Sequence, residues 1–344
     1  MFVRKNKLCN QIVFVDGMWG AGKSILAPVL GSFKRVEKQI INHNFEYVCT
    51  LENYDKISNT DAKSLIQVMA DVSIFNSMIS REVNLRPSDD SGFLNNPNGW
   101  RYLKRLFKVG DATILEKIKN DKPILQIMSH NIFQVSNLLF DSFDSSIKMI
   151  VMVRHPVYMT EHWFNYIDRV GIDLREFTLA KGEKGDIPWF ASEDNYLSLN
   201  TMDRVIYGMK VLTSMQNKIF TAMTGNRKKQ VLFIPFESFV LDPKEWIEKT
   251  TKLLKTEETH VTNKVLKKQR CPRDNIHAGK GHLNYGFDKN LAQLSEDEDY
   301  MRRLEFINEK ATPEAIKVLK NLSAKYNSGY SFPRKMPWET IPCV

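Results

Sequence analysis

The sequence feature that most constrains the fold is a glycine-rich loop within residues 12–24, near the start of the chain. A run of β-branched and aromatic residues leads into the loop, and the apolar segment 25–33 follows it. The loop fits the pattern G-x-x-x-x-G-K-[ST] at every defining position, in the strand–turn–helix context that the pattern requires. The sequence therefore predicts a loop that binds the phosphates of a nucleotide.

Each defining residue of the loop has a physical role in holding an anion. Gly17, Gly20 and Gly22 let successive backbone N–H groups point inward, and the following helix adds its positive N-terminal end. Lys23 can reach the phosphates, and the Ser24 hydroxyl can donate to a phosphate oxygen or bind a metal. Trp19 would either stack on a base or pack in the core. The predicted nucleotide contacts of the loop are Gly17, Trp19, Gly20, Ala21, Gly22, Lys23 and Ser24.

Composition narrows the class of protein and its partners. The chain has 344 residues, 42% of them hydrophobic, which is enough for a large α/β core. The net charge of +9 suits anionic ligands such as nucleotide phosphates or acidic glycans. We expect no nucleic-acid partner, because no long block of Lys and Arg with interleaved aromatics occurs.

Compartment is predicted from cysteine usage and from the N-terminus. The four cysteines are scattered without a C-x-x-C pair, which favours a reducing compartment and no metal framework. The apolar run after the basic N-terminus is too short for a signal peptide or a membrane span. We therefore expect a cytoplasmic protein without a membrane span, and the oligomeric state is left open.

Three further strands are predicted at 122–128, 147–153 and 230–236, where near-continuous apolar runs are typical of parallel strands buried on both faces. Helical patterns alternate with them, at 132–140, 157–170 and 202–223. The predicted fold is therefore a P-loop α/β fold, with a doubly wound parallel sheet in three α/β/α layers and with helical and loop insertions.

The remaining segments are assigned from their patterns. We predict a strand-like or irregular passage at 39–51, a helix over 61–82 and a helix starting at Pro243, with Asp242 as its N-cap. Loops that recognise an acceptor are predicted at 86–100 and 181–200. A helical region is expected at 293–326, followed by an irregular tail.

Polar side chains follow the predicted strands where each strand ends. His130 comes after the second strand, Arg154 after the third and Glu237 after the fourth. Because ligands of such sheets bind at the carboxyl ends of the strands, we expect His130 and Arg154 at the rim of the phosphate loop. Phe236 to Phe239 is more simply a structural turn.

These motifs together resemble the cytosolic and glycan sulfotransferases. Ser129-His130 and Arg154-His155-Pro156 are similar to that family's Ser/Thr-His pair and Arg-x-Pro turn. Residues 231–243 resemble its strand, acidic turn and Asp-Pro helix start, and Lys280-Gly281-His282 resembles its late lysine–glycine loop. The resemblance covers about 11–286, the core of a single domain predicted over 1–344, with a C-terminal helical region and tail at 287–344.

The resemblance implies a donor, an acceptor and roles for individual residues. The donor would be 3′-phosphoadenosine 5′-phosphosulfate, and the acceptor a hydroxyl of a carbohydrate or small molecule. His130 would be the general base and Lys23 would stabilise the leaving oxygen. Arg154, Lys280 and Gly281 would hold the 3′-phosphate.

Three departures from the family pattern stand in the sequence. The family's early basic residue in the loop is missing, and Lys23 occupies a position where a hydroxyl residue is usual. His162 stands where a nucleotide-binding serine is expected, although Thr160 is close enough to substitute. His282 replaces the usual cation of the late loop.

These departures keep two alternatives open. A complete Gly-Lys-Ser loop is typical of kinases that use ATP with Mg²⁺, in which Ser24 would bind the metal and Asp16 could act as base. Neither later strand delivers the aspartate that usually completes such a magnesium site, so a sulfotransferase is favoured and no metal is expected. A non-catalytic protein that binds nucleotide is the third possibility.

Overall fold

The computed structural model describes residues 2–87, 92–108, 110, 112–192, 195–276 and 293–341. Its strands are β1 (Gln11–Gly17), β2 (Ile40–Ile41), β3 (Ile124–Met128), β4 (Ile147–Val153), β5 (Ala180–Lys181), β6 (Ile187–Pro188) and β7 (Val231–Pro235). Its α-helices are α1 (Lys23–Leu30), α2 (Asn44–Asn53), α3 (Asn59–Ile79), α4 (Gly99–Leu106), α5 (Ala112–Asp121), α6 (Asn137–Phe143), α7 (Pro156–Ile167), α8 (Thr201–Ala222), α9 (Gly225–Lys228), α10 (Phe236–Leu241), α11 (Pro243–Leu254), α12 (Thr262–Lys268), α13 (Glu296–Lys310), α14 (Pro313–Gly329) and α15 (Pro337–Thr340).

Five of the strands form one parallel sheet in the order β2-β3-β1-β4-β7. The first strand, β1, lies in the centre, with Gln11 opposite Ile124 of β3 and Gly17 opposite Met152 of β4. The strand order therefore changes direction at β1, which puts the carboxyl end of β1 at the topological switch point where such sheets bind ligands. The strands β5 and β6 form a separate antiparallel pair.

Helices cover both faces of the sheet. On one face, the ring of Phe14 packs edge-on against Phe45 of α2, with 5.5 Å between the ring centroids. On the other face, Gln126 donates from Nε2 to the carbonyl oxygen of Ala27 in α1 at 2.9 Å. Since both faces are covered, the strands are buried and apolar, and the predicted doubly wound α/β fold is confirmed.

Short polar side chains set the starts of several helices, as the sequence predicts. Ser58 accepts from the Asp61 N–H at the start of α3, and Asp242 accepts from the Lys244 N–H at the start of α11. Pro243 occupies the first turn of α11, where its missing N–H costs nothing. The predicted helix at 202–223 is observed as α8, and the predicted strand at 147–153 is β4.

Four local predictions are wrong in whole or in part. The passage at 39–51 is mainly α2, because Phe45, Val48 and Cys49 have helical spacing and form its buried face. The predicted loop at 86–100 ends in the first residues of α4, and the helix at 132–140 is a 3₁₀ turn followed by α6. The tail is not irregular throughout, because α15 buries Trp338.

The C-terminal helices α13 and α14 are tied to helices α7 and α10 by polar contacts. The Tyr326 hydroxyl of α14 donates to Glu237 at 2.5 Å, and Arg303 of α13 bonds to Glu161 of α7 at 3.1 Å. That a single domain spans 1–344 stays a prediction. Within the described ranges, no helix has the length and apolar character needed to cross a membrane.

Candidate functional site

The glycine-rich loop connects β1 to α1, and two of its glycines are required by close packing. Gly17 has a φ of 146°, and a Cβ on it would lie 2.4 Å from the carbonyl oxygen of Met152. Gly22 has a φ of 98°, and a Cβ there would lie 2.3 Å from the ring of Phe236. Any other residue would push the loop away from β4 and α10, so these glycines fix where the loop lies.

The side chain of Lys23 is folded back into the loop. Its Nζ donates to the carbonyl oxygens of Gly17 at 2.6 Å and Met18 at 2.9 Å. Burial lowers the pKa of Lys23 to about 8, although Asp16 and Glu46 favour the charged form. The ammonium is thus held at the N-terminal end of α1, where an anion is favoured.

The carboxylate of Asp16 is fully buried and its oxygens are occupied. It accepts hydrogen bonds from the Ser129 hydroxyl at 3.0 Å and from the backbone N–H groups of Ile132 and Phe133. These contacts join β1 to the turn after β3 and orient the neighbouring His130. Asp16 is therefore a structural residue rather than a free base or metal ligand.

His130 follows β3 and belongs to a cluster with Glu46 of α2 and with His43, the residue just before that helix. The Nδ1 atom of His130 lies 3.4 Å from Glu46 Oε1, and the Nδ1 atom of His43 lies 3.4 Å from Glu46 Oε2. The two imidazole rings are stacked, with centroids 5.8 Å apart. Glu46 also accepts the backbone N–H of His130 at 2.9 Å, which fixes the position of that residue.

In this cluster the histidines favour the ionised form of Glu46, and Glu46 favours the protonated form of His43. Although burial opposes ionisation, the contacts with His130 and His43 lower the pKa of Glu46 to about 2. The hydrogen bond to Glu46 raises the pKa of His43. Because Nδ1 of His130 faces the carboxylate, the arrangement favours the tautomer with N–H at Nδ1 and a free lone pair at Nε2. This is the tautomer that a general base needs.

Among the described residues, the side chains of His43, Glu46 and His130 form a group that could hold a metal ion. Their ligand atoms all lie within 4.8 Å of one another, and two imidazoles with a carboxylate are a set that suits zinc. However, Glu46 Oε1 already accepts a backbone N–H. The hydrogen bonds therefore favour an orienting carboxylate over a metal ligand.

Sequence reasoning missed Glu46 and His43, because residues 39–51 were not assigned to a helix. The signal is present in the spacing His43-x-x-Glu46, which puts the two side chains on one face of a helical turn. The apolar residues of α2 at helical spacing would have identified the helix.

The cluster opens into a narrow cleft beside the loop. Its lining is shared by the loop, the turn after β3, α2 and the segment around β6, and consists of Trp19, Glu46, Tyr47, Thr50, His130, Asn131, Thr178, Leu179 and Trp189. The structure therefore brings His130 and the nucleotide loop to one cleft. Leu179 and Trp189 belong to the region around the predicted acceptor loop at 181–200.

Trp19 is a buried packing residue of this cleft. Its ring lies 4.8 Å from that of Trp163, and its backbone carbonyl accepts the Trp163 indole N–H at 2.9 Å. Of the two roles predicted for Trp19, the structure places it in the packing role.

On the other side of the loop, Arg154 follows β4 and lies over the ring of Phe236, with 4.2 Å from its guanidinium carbon to the ring centroid. Its Nη1 donates to the Gly20 carbonyl oxygen at 3.0 Å. Its Nε is buried and has no hydrogen-bond partner among the described residues. A buried cationic N–H without an acceptor is costly, so this side chain is arranged to bind an anion.

Other cations surround Arg154. The pKa of Arg154 is lowered to about 10, mainly by burial and partly by repulsion from Arg303 and Arg273, while Glu237 opposes this shift. The Arg273 guanidinium lies over the same Phe236 ring, at 5.7 Å. A second region of positive charge therefore lies beside the loop, on the β4 side of β1, whereas His130 is on the β3 side.

The remaining predicted site residues have mixed placements. His162 of α7 packs against the loop at Gly20. The contact is so close that a Cβ on Gly20 would lie 3.2 Å from the His162 ring. Thr160 is fully buried, and its hydroxyl donates to the Val157 carbonyl oxygen at 2.9 Å, so it is occupied within α7. Lys280 and Gly281 lie outside the described residues.

The side chains after Arg154 and β7 are structural. His155 is buried and stacks on Trp338 at 4.2 Å. Glu237 accepts from the His155 N–H at 3.0 Å and from the Tyr326 hydroxyl, so its role is structural, although residues 236–239 begin helix α10 and are not a turn.

Comparison with known proteins finds no matching family model and no matching curated protein. Among solved structures, a sulfotransferase domain from the curacin biosynthetic pathway is 12% identical with a TM-score of 0.46, covering 94% of this chain and 99% of that one. The sulfotransferase domain of the Synechococcus PCC 7002 olefin synthase is 13% identical with a TM-score of 0.44, covering 96% and 98%. A mouse sulfotransferase complexed with PAP is 12% identical with a TM-score of 0.39, covering 91% and 83%. These three proteins come from the family that the sequence motifs resemble.

Proposed function

We propose that this protein is a sulfotransferase, which moves a sulfuryl group from 3′-phosphoadenosine 5′-phosphosulfate to a hydroxyl of a carbohydrate or small-molecule acceptor. The observation that carries the proposal is that two cationic side chains, Lys23 and Arg154, lie against the glycine-rich loop that also borders the cleft of His130. The loop with Lys23 is one anion site, and Arg154 with its unpartnered Nε is the other. A nucleotide with phosphates at both the 5′ and 3′ positions suits two such sites.

The residues divide the work of the reaction. The donor would supply an activated sulfuryl group. The N–H groups of the loop would hold its 5′-phosphate, and the Lys23 ammonium would stabilise negative charge on the leaving oxygen. Arg154 would bind the 3′-phosphate through its guanidinium. His130 Nε2 would accept the proton of the acceptor hydroxyl, while Glu46 keeps the ring in the required tautomer.

A kinase that uses ATP with Mg²⁺ is the second candidate, and the complete Gly-Lys-Ser loop favours it. Magnesium would need a carboxylate near Ser24. The closest candidate in sequence, Asp16, has its oxygens occupied by Ser129, Ile132 and Phe133. This arrangement speaks for a transferase whose donor is bound without a metal.

The proposal is tested by a transfer assay with two labelled donors. Purified protein is incubated with a panel of sugars and phenols and either sulfur-labelled phosphoadenosine phosphosulfate or γ-phosphate-labelled ATP with Mg²⁺. We expect label in an acceptor only from the sulfate donor, and no loss of this activity with a chelator. Label from ATP alone would support the kinase, and label from neither donor would support a non-catalytic protein.

A further inference from the structure

A cavity lies at the opposite end of the sheet from the candidate active site. It encloses about 640 Å³, and seven of its eleven lining residues are Lys or Arg. Two of the lining residues, Arg35 and Glu37, lie beside the start of β3. The Arg35 carbonyl oxygen accepts from the Ile124 N–H, and the Glu37 N–H donates to the Ile124 carbonyl oxygen. Because β1 is seven residues long, roughly 20 Å separates this end from the nucleotide loop.

The floor of the cavity is a closed ion-pair network. Arg105 donates to both carboxylate oxygens of Glu37, at 2.7 Å and 2.9 Å, and the Tyr102 hydroxyl donates to the same group at 2.7 Å. Asp121, the other acidic residue of the lining, pairs with Lys117 at 2.5 Å. Both carboxylates of the cavity are therefore already neutralised by neighbours.

The rim of the cavity keeps free positive charge. Lys104 and Lys108 are exposed, one turn apart, and make no ion pair within the described residues. Arg101, by contrast, belongs to the network of the floor, because its Nη2 donates to the Val36 carbonyl oxygen at 3.1 Å and to the Tyr102 hydroxyl at 2.8 Å. The rim therefore attracts an additional anion.

A stripe of apolar side chains lies next to these lysines on α4. Trp100 is 71% exposed and Phe107, directly after the helix, is 88% exposed. Together with the partly exposed Leu103 they have the spacing i, i+3, i+7, which puts them on one face of a helix. Leu106, 47% exposed, extends this face.

We propose that α4 and the basic rim bind the surface of a bilayer containing anionic lipids. Trp100 and Phe107 enter the headgroup region, and Lys104 and Lys108 bind lipid phosphates. Basic residues beside an exposed aromatic and aliphatic stripe are the pattern of helices that lie in the membrane interface.

The aliphatic members of the stripe decide between a bilayer and a soluble polyanion. A sulfated glycan needs the cations but leaves Leu103, Leu106 and Phe107 in water. A single-stranded nucleic acid could stack on the two aromatic rings but not on the leucines. A lipid surface, unlike either polyanion, takes up the charges and the apolar stripe together.

The test is co-sedimentation with phosphatidylcholine vesicles, with and without phosphatidylserine. We expect binding only to the anionic vesicles. The double variant Lys104→Gln with Lys108→Gln loses two charges at about 1 kcal/mol each, so its partition should fall roughly 30-fold. The matched control Lys244→Gln with Lys252→Gln removes two exposed lysines of α11 and should bind like the unmodified protein.

Tryptophan fluorescence provides a second readout. Trp100 is far more exposed than the buried Trp19, Trp163, Trp189 and Trp338. Vesicle binding should therefore shift the emission to shorter wavelength, and Trp100→Phe should keep binding while losing the shift. Equal binding to neutral vesicles, equal losses in both lysine variants, or binding to heparin or single-stranded DNA without vesicle binding would overturn the proposal.

Discussion

Two buried carboxylates at opposite ends of the sheet carry the same shift in pKa for different reasons. Glu37 and Glu46 both have a pKa lowered to about 2. Glu37 is held by Arg105 through two hydrogen bonds shorter than 3 Å, with Tyr102 as a further donor. Glu46 is held by two imidazoles at 3.4 Å.

The difference lies in what the partners can do. A guanidinium is always charged and here has its geometry fixed by the carboxylate, so Glu37 and Arg105 act as a structural brace. An imidazole can gain or lose a proton near neutral pH, so Glu46 faces two groups that can take part in chemistry. A shifted pKa therefore identifies a site only when the partner is considered with it.

Replacing the base should have the largest effect. His130→Ala should lower the rate of transfer by about 10²–10⁴-fold, because the acceptor proton has no other positioned acceptor. Affinity for adenosine 3′,5′-bisphosphate, measured by calorimetry, should stay the same. His43→Ala is the control and should cost less activity, and a loss of nucleotide affinity in His130→Ala would refute the assignment of the base.

The structural carboxylate should have its effect on stability instead. Glu37→Gln should lower the free energy of unfolding by about 3 kcal/mol near neutral pH, because Arg105 is left buried without its counter-charge. Urea unfolding measures this loss, and transfer per folded molecule should be unchanged. If activity fell while stability held, the brace would be part of the functional site.

Glu46→Gln should show the reverse pattern. Losing the group that orients a catalytic imidazole typically costs about 10–100-fold in activity. The pH dependence of the rate should shift as well, which a merely structural role would not produce. Steady-state rates across pH measure both, and an unchanged pH profile would contradict the positioning role.

The arginines Arg105 and Arg154 can be compared in the same way. Arg105 donates to both carboxylate oxygens of Glu37, whereas the Nε of Arg154 has no hydrogen-bond acceptor among the described residues. Arg154→Ala should weaken binding of adenosine 3′,5′-bisphosphate by about 10–100-fold through lost charged hydrogen bonds. ATP, which lacks a 3′-phosphate, should lose much less. Arg154→Lys keeps the charge and should fall between the two, and equal losses for both nucleotides would mean that Arg154 does not contact the 3′-phosphate.

The smallest effect is the pH dependence of stability. Glu37, with its pKa lowered from 4.5, stabilises the fold above that value, and the contribution is lost as pH falls through about 2. His43 has a raised pKa, so its protonated ring stabilises the fold fully below pH 6.5. This contribution is lost as the pH rises through the pKa that His43 has in the folded protein. Glu46→Gln should therefore cost less stability at about pH 9 than at about pH 6, whereas Glu37→Gln should cost the same at both. Denaturant midpoints of the two variants measure this difference.

The sequence predicts the sheet and the loop well because both follow local rules. Apolar runs identify β3, β4 and β7, and the glycine pattern identifies the phosphate loop with Lys23. Placing His130 and Arg154 at the rim follows from the position of strand ends in parallel sheets.

The rest of the site depends on contacts between segments far apart in the chain. Glu46 meets His130 only because α2 packs beside the turn after β3, 84 residues later. The Glu37 brace joins the segment after α1 to α4 across 68 residues. Sequence spacing carries no information on such pairs. Nearness in sequence can also mislead: Thr160 is close to His162 in the chain, but its hydroxyl bonds to Val157 within α7.

The central claim is that Lys23 and Arg154 form two anion sites at the glycine-rich loop that borders the cleft of His130, and calorimetry with adenosine 3′,5′-bisphosphate and with ATP, each with and without Mg²⁺, tests it most directly. We predict that the bisphosphate binds more tightly than ATP and that Mg²⁺ does not change its affinity. Tighter binding of ATP that depends on Mg²⁺ would contradict the account and make Lys23 and Ser24 the centre of a kinase.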